Sequence, residues 1–373
     1  MRTLLQLSII IPTYCEAQNL TQLIPRIGQT LIDSALSAEI IIVDDHSPDG
    51  TPDVCQTLSE SFPVRLITRK NERGLSTAVI AGLDAASAEI LLVMDADLSH
   101  PPEKIPELYA ALKNQHADFV IGSRYVNGGS TEETWGWFRK LNSRIATWLA
   151  RPFTKVKDPM AGFFAISRHN FLKARDLLNP VGYKIGLELL VKCRCRNIVE
   201  VPIHFADRTL GTSKLSFTEQ WNYLKHLKRL FDFKYRNYAY FIQFAVIGLS
   251  GVVVNLLALS LLLHWLDRSV AIAVAIWVSM STNFLLNRNI TFSYARDAPI
   301  LKQYFHYSGS CLTGALCNWA TTIALCNSFA YFEKRTMLAA LIGILMGMAF
   351  NFILCRYLVF AKHKPTGDEL KTE

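Results

Sequence analysis

Charge is scarce in this chain and unevenly placed. Asp, Glu, Lys and Arg make up 19% of its 373 residues, yet the formal net charge is +8. From Tyr238 to Phe360, 123 residues hold only ten of these charged side chains. Such a composition excludes a disordered or collagen-like chain and divides the sequence into a soluble part and an apolar part. Paired cysteine motifs are missing too. The eight cysteines form no CxxC, and four lie in the apolar part, so they read as reduced packing residues. No GxGxxG follows the first strand-like run and no GxxxxGK(S/T) occurs anywhere, which removes the usual support for dinucleotide and P-loop binding. The start, Met1 to Tyr14, does not read as a signal peptide, because Pro12 interrupts its apolar run and no small-residue cleavage site follows.

What the apolar part has is length. Residues 237–266 carry no charge, and three more charge-free windows follow: Ser269 to Asn287, Gln303 to Phe332 and Thr336 to Cys355. Each meets or approaches the roughly 20 residues that cross a hydrocarbon core, so four spanning helices are expected. Lys225, Lys228, Arg229, Lys234 and Arg236 precede the first window; Arg288, Arg296 and Lys302 separate the second and third; Arg356, Lys362 and Lys364 follow the fourth. The opposite loops hold only Arg268, Lys334 and Arg335. The positive-inside rule then places both termini and the soluble part in the cytoplasm.

A repeat marks the same region. Asn283-Phe-Leu-Leu-Asn-Arg-Asn-Ile-Thr-Phe292 ends the second window and Asn351-Phe-Ile-Leu-Cys-Arg-Tyr-Leu-Val-Phe360 runs past the fourth, implying two parallel-related helical hairpins. Arg288 and Arg356 either snorkel to lipid phosphates or simply anchor at the interface. Just before the first span, Trp221, Leu224, Leu227, Leu230 and Phe231 recur among basic residues. That pattern predicts an amphipathic helix on an anionic membrane surface, although a helix facing a core shows a similar period.

In the soluble part, Leu7 to Ile11, Glu39 to Val43, Val64 to Thr68, Glu89 to Met94 and Asp118 to Ile121 read as strands alternating with helices, which predicts a parallel sheet covered by helices. Ligands bind outside the carboxyl ends of such strands. Asp44 and Asp45 follow the second strand, and Asp95 and Asp97 follow the fourth. Residues two apart in extended chain point to the same side, so Asp95 and Asp97 can share one hard divalent cation. Magnesium needs only one or two protein carboxylates, with phosphates and water completing its shell.

Seven segments then occur in order: Ile11-Pro-Thr-Tyr-Cys-Glu16, Val43-Asp-Asp-His-Ser-Pro-Asp-Gly-Thr51, Glu72-Arg-Gly-Leu-Ser-Thr-Ala78, Asp95-Ala-Asp-Leu-Ser-His-Pro-Pro102, Gly122-Ser-Arg-Tyr125, Asp158-Pro-Met-Ala-Gly162 and Gly182-Tyr-Lys-Ile-Gly-Leu-Glu-Leu-Leu190. Together, over residues 7–217, they resemble the dolichol-phosphate mannose synthases, inverting family 2 glycosyltransferases with the α/β, Rossmann-like GT-A fold. The last third resembles the GtrA-like four-helix membrane domain. The resemblance implies a GT-A domain over 1–217, an interfacial helix over 218–237, an all-α transmembrane domain over 238–361 and a cytoplasmic tail over 362–373.

It further implies transfer of one sugar, foremost mannose from GDP-mannose, to dolichyl or polyprenyl phosphate, with Mg²⁺ or Mn²⁺ and inversion at C1. Pro12, Tyr14, Glu16, Val43 and Asp45 match nucleoside-binding positions. Asp95 and Asp97 match metal ligands, with the Ala96 backbone beside them and Ser99 where some relatives carry a further ligand. Arg124 matches a donor-site arginine that also meets the acceptor phosphate, and Arg139 and Ser143, four apart on one helix face, resemble the remaining acceptor-phosphate pair. Lys184, Arg208 and Lys214 resemble basic residues that close over the diphosphate. Membrane lipids are expected partners, nucleic acid is not, and a homo-oligomer is left open.

Each of these residues also has a plainer reading: Tyr14 as packing, Asp44 or Asp45 as a helix cap, Arg124 as one half of a surface ion pair. Three rival functions remain beside the first. They are a UDP-glucose-dependent glucosyltransferase, a processive polysaccharide synthase, whose QxxRW motif Gln220-Trp221 does not reproduce, and a lipid flippase or scaffold with a vestigial catalytic half.

Overall fold

The computed structural model describes residues 5–132, 137–206 and 217–361, without the side chains of 138–140 and 217. Two compact units divide the chain, Met1–Lys234 and Tyr235–Glu373. The first contains β1 (Leu7–Thr13), α1 (Ala17–Asp33), β2 (Ala38–Asp44), α2 (Thr51–Ser59), β3 (Val64–Thr68), α3 (Leu75–Ala85), β4 (Ile90–Val93), α4 (Ile105–Asn114) and β5 (Phe119–Ser123). It continues with β6 (Ser130–Thr131), α5 (Trp137–Ala150), β7 (Phe164–Ser167), α6 (Arg168–Ala174), α7 (Ile185–Lys192), β8 (Ile198–Pro202), β9 (His204–Phe205) and α8 (Phe217–Tyr235). All five expected strands are present.

Seven strands form one sheet in the order β3-β2-β1-β4-β7-β5-β8. Side chains alternate across it. Ile9, Ile11, Ile40 and Ile42 face α1, whose Leu20, Leu23, Ile24 and Ile27 follow helical spacing, while Ile10, Ile41 and Leu91 face Val79 and Leu83 of α3 and Leu187 of α7. Each fully buried Ile or Leu contributes about 1.5–3 kcal/mol. Covered on both faces, these strands read as continuous apolar runs.

One strand departs from the expected parallel pattern. β7 runs antiparallel between β4 and β5, with Phe164 opposite both Val93 and Ile121. It therefore starts at the end where β4 and β5 finish. The turn before it, Asp158 to Gly162, is delivered to that same end.

α8 completes the first unit rather than standing apart from it. Its Leu227 and Leu230 join the α3–α7 core, and His226 is buried, whereas Trp221 and Leu224 on another part of its surface stay exposed. The apolar period thus serves a core on one side and leaves two large residues outward on the other.

The second unit holds α9 (Asn237–Leu262), α10 (Arg268–Leu286), α11 (Ile300–Ser328), the short α12 (Ala330–Glu333) and α13 (Thr336–Leu354). α9 packs on α10, and α11 on α13. Three segments among the described residues are long and apolar enough to span a membrane: Asn237–Leu262, Arg268–Thr291 and Thr336–Val359. α11 is the longest helix at 29 residues, about 43 Å at 1.5 Å per residue, but its many small and polar residues lower its hydropathy. The outward faces are apolar, with Leu249, Leu256, Trp277, Leu316 and Leu341 all exposed, as lipid-facing surfaces are. Small residues let the helices approach: a Cβ on Gly347 would lie 2.5 Å from the Gly314 carbonyl oxygen.

The sequence repeat is a structural one. Both copies end in a π-helical turn, Asn287–Thr291 and Cys355–Val359. Their last residues, Phe292 and Phe360, stack at 4.7 Å. All eight cysteines are free.

Candidate active site

The sheet order reverses between β1 and β4, since β2 and β3 lie to one side of β1 and β4 to the other. A crevice outside the carboxyl ends of the strands belongs at such a switch point. Thirteen of the fifteen candidate residues lie within the described chain; Arg208 and Lys214 lie outside it.

At the ends of β1, β2 and β3, the register aligns Thr13 with Asp44 and Asp44 with Thr68. Pro12 and Val43 are buried sheet residues, while Tyr14 is exposed. Arg73 lies 4.8 Å from the centroid of the Tyr14 ring, a cation–π contact the sequence reading did not foresee. Glu16 accepts from Asn19 Nδ2 at 2.6 Å.

Asp45 is no helix cap. One of its oxygens accepts two bonds from Arg69, from Nε at 2.8 Å and Nη2 at 2.5 Å, and the other accepts from the Gly74 amide at 2.8 Å. Arg69 was missed because it follows β3 and meets Asp45 only through sheet pairing. Asp44 is fully buried and braces its own loop through Ser47.

After β4 come the paired carboxylates. Asp95 is partly exposed, at 29% of its side chain, and Asp97 is buried. Ser99, also buried, donates to Asp97 Oδ1 at 2.5 Å, and its amide donates at 3.2 Å, so it orients the carboxylate. Ala96 is buried between them. His100 Nδ1 accepts from the Asp95 amide at 3.0 Å. That leaves the proton on Nε2, 3.9 Å from Asp95 Oδ2. The His100 ring is held by Phe163 and Phe205 at 5.2 and 5.5 Å. Gly162 backs the same carboxylate: a Cβ there would meet Asp95 Oδ2 at 3.0 Å.

Beside them sits a cationic pair. Arg124, at the end of β5, donates Nε to Asp158 Oδ2 and Nη2 to Asp158 Oδ1, each at 2.7 Å. Burial works against its charge, but the bonds to Asp158 outweigh that and hold the guanidinium above its ordinary range. Lys184 precedes α7. Burial, with Arg124 nearby, holds its ammonium below the ordinary lysine range, while Asp95, Asp158 and Glu219 pull the other way. Those mutual influences bring Arg124, Lys184, Asp95 and Asp158 into one electrostatic cluster.

α5 supplies the last element. Ser143 bonds the Tyr125 hydroxyl at 2.8 Å, and Arg124 lies 5.3 Å over the Tyr125 ring, so Ser143 adjoins the cluster. Arg139 lies on the same helix, its side chain outside the described residues. Trp137, Leu141, Ile145 and Trp148, at helical spacing, are exposed. This apolar stripe was not read from the sequence.

Among the described residues no three His, Cys, Asp or Glu side chains group as a metal cage. Two carboxylates, one of them open, fit magnesium or manganese sharing phosphate oxygens.

Comparison with known proteins agrees with these two units. The glycosyl transferase family 2 model matches residues 8–172, and the GtrA/DPMS transmembrane domain model matches residues 243–367; with three long apolar helices, this is a membrane protein. A dolichol-phosphate mannosyltransferase of Pyrococcus furiosus is 37% identical over 362 residues, covering 96% of this chain and 100% of that protein. Enzymes of the same name from Mycosarcoma maydis and Saccharomyces cerevisiae are 42% and 40% identical, covering 61% and 64% of this chain and 80% and 93% of theirs. The chain belongs to the dolichol-phosphate mannosyltransferases, enzymes of glycosyltransferase family 2, in the form that carries a GtrA/DPMS transmembrane domain.

Proposed function

We propose that this enzyme transfers one mannose from GDP-mannose to the phosphate of dolichyl or polyprenyl phosphate at the cytoplasmic membrane face, with inversion at C1. The observation that carries the reading is that β4 and β5, on either side of β7, bring Asp95 and Asp97 and the Asp158-held Arg124 to the same end of the sheet, with Lys184 close enough to feel Asp95 and Arg124. That set suits a nucleotide diphosphate, and the relatives are named for the same transfer. A divalent cation held by Asp95 and Asp97 would neutralise charge on the diphosphate.

This chain's own groups do the rest. Tyr14, Glu16 and Asp45, with Pro12 and Val43 behind them, form the nucleoside end. Arg124, its fork fixed by Asp158, and Lys184 offer positive charge to the departing diphosphate, which is electrostatic stabilisation of the leaving group. Arg208 and Lys214 are proposed to join them. A lipid phosphate is already anionic near neutral pH and needs no strong general base. Arg139 and Ser143 are proposed to receive it, and holding both partners in line supplies the remaining acceleration.

The exposed Trp137, Leu141, Ile145 and Trp148 of α5 and Trp221 and Leu224 of α8 support docking at a lipid surface, where amphipathic helices lie. α11 is proposed as a fourth span, which keeps both termini on the cytoplasmic side with the basic loops.

The test incubates purified protein and magnesium with a short polyprenyl phosphate and, in parallel, GDP-mannose, UDP-glucose or UDP-N-acetylglucosamine, followed by mass spectrometry of the lipid. One hexose gained from GDP-mannose is the expected result. Gain only from UDP-glucose would replace the donor, and no lipid product would leave a transport or scaffold role.

A further inference from the structure

The loop after β4 folds a histidine back onto the first of its two aspartates. His100 is 1% exposed, and a polar ring buried that far needs partners. Its Nδ1 accepts from the Asp95 amide at 3.0 Å. An accepting Nδ1 carries no proton, so the proton sits on Nε2, 3.9 Å from Asp95 Oδ2. The two nitrogens of one imidazole thus address the backbone and the carboxylate of a single residue.

Several neighbours hold that arrangement. Leu98 lies at φ 63°, a left-handed conformation that leucine seldom adopts and that persists only where the surrounding structure enforces it. The turn at Leu98 lets residue 100 reach the amide of residue 95. Phe163 stacks on the imidazole and Phe205 meets it edge-on, which fixes the ring plane. The Ser99 carbonyl accepts from the Ala206 amide at 3.2 Å, which ties the loop down. Gly162 leaves room for the approach: a Cβ there would lie 3.0 Å from Asp95 Oδ2 and 3.3 Å from His100 Cε1.

We propose that His100 is a positioning residue, holding the Asp95 carboxylate in the rotation from which it binds a divalent cation; this rests on the assignment of Asp95 and Asp97 as cation ligands. Ser99 steadies Asp97 through a hydroxyl at 2.5 Å, so two consecutive residues each serve one carboxylate. Asp95 is the more open of the pair, at 29% of its side chain, and the terminal torsion of an aspartate is broad, so neighbours set its orientation. At 3.9 Å the Nε2 proton attracts Oδ2 electrostatically rather than through a hydrogen bond, and a modest turn of the carboxylate shortens the contact. A neutral donor steers the oxygen without placing a positive charge beside the cation. Removing such an outer partner costs about 10–100-fold in metal affinity or activity.

The experiment follows manganese binding to the full chain in detergent by electron paramagnetic resonance, without nucleotide or acceptor. His100→Asn keeps an oxygen able to accept from the Asp95 amide and deletes the Nε2 donor, whereas His100→Gln returns an amide donor near the Nε2 position. The asparagine variant should bind manganese about ten-fold more weakly, and the glutamine variant should recover most of that loss. In sugar transfer, the asparagine variant should need about ten-fold more manganese for half-maximal rate, with kcat at saturating manganese close to wild type. Asp97→Ala, measured alongside, should lose the bound manganese. If it does, and His100→Asn keeps wild-type affinity, the cation assignment stands and the role of His100 is overturned. Should His100→Asn unfold, His100→Gln decides: manganese loss as complete as in Asp97→Ala overturns the role. Wild-type binding by Asp97→Ala, or no manganese bound by the wild type, overturns the cation assignment and the role of His100 with it.

Discussion

Arg124 and Asp158 face each other through two parallel hydrogen bonds of 2.7 Å, with the carboxylate fully buried and the guanidinium side chain 10% exposed. Removing one partner of a buried pair strands the other, at a cost of about 3–5 kcal/mol. Asp158→Asn should therefore lower the thermal midpoint in detergent and reduce transfer together. Arg124→Lys keeps the charge but not the fork, so a lysine variant with full activity would show that orientation is unimportant.

The paired aspartates carry a sharper expectation. Asp97→Ala should abolish lipid-linked sugar formation, by about 1,000-fold or more if the metal supplies several kcal/mol, while circular dichroism stays native. A chelator should stop the wild-type reaction, and magnesium or manganese should restore it. Retained turnover in the variant would remove the metal assignment.

Lys184 enters through its charge. Because burial and Arg124 disfavour the ammonium, a diphosphate bound there, as proposed, would relieve that cost. Lys184→Met should lower kcat about 100-fold and weaken binding of the nucleotide diphosphate, measured by calorimetry.

His226 gives the stability of the soluble unit an acid limit. It lies on α8, faces Glu188 at 3.5 Å, and is pushed down to about 4 by burial, with Glu188 pulling upward and Lys192, Arg229 and Lys184 pushing downward. The unfolded imidazole takes up its proton near pH 6.5, and the folded one only near 4. Between those values the unfolded chain binds more protons, so stability falls as pH drops through the window, by up to about 3 kcal/mol. Thermal midpoints measured from pH 7 to 4 should show this decline, and His226→Phe should flatten it.

The exposed stripe of α5 should matter only when the acceptor sits in a bilayer. Trp148→Glu, at a residue 71% exposed, is expected to raise KM for a long polyprenyl phosphate in vesicles about ten-fold, with little change for a short soluble acceptor. Equal effects on both would place Trp148 in the chemistry.

Local features were the legible ones. Asp95-Ala96-Asp97 announced itself as two closely spaced carboxylates just past an apolar run, although β4 ends at Val93 and residues 96–98 bend rather than extend, and the strands were visible as apolar runs. Arg69, and the pairing of the already noted Asp158 with Arg124, were not, because Asp45 lies 24 residues from Arg69 and Arg124 34 residues from Asp158 and only sheet pairing joins them. The reversal of β7 left no trace either, since a strand buried on both faces reads alike in either direction. On α8 the period was plain, but which apolar residues meet a core was decided by α7 and its neighbours. Four long windows were likewise visible, though the composition of α11 separates it from the other three.

The reversed strand divides labour along the chain. The chain up to and just past β4 holds the residues proposed for the nucleoside and the metal, while the excursion between β5 and β7 carries α5 and returns with Asp158. Because that excursion leaves and rejoins the sheet at neighbouring positions, it can be exchanged as one cassette. Grafting the corresponding stretch from a relative with another lipid preference offers a route to new acceptors without redesign of the donor half.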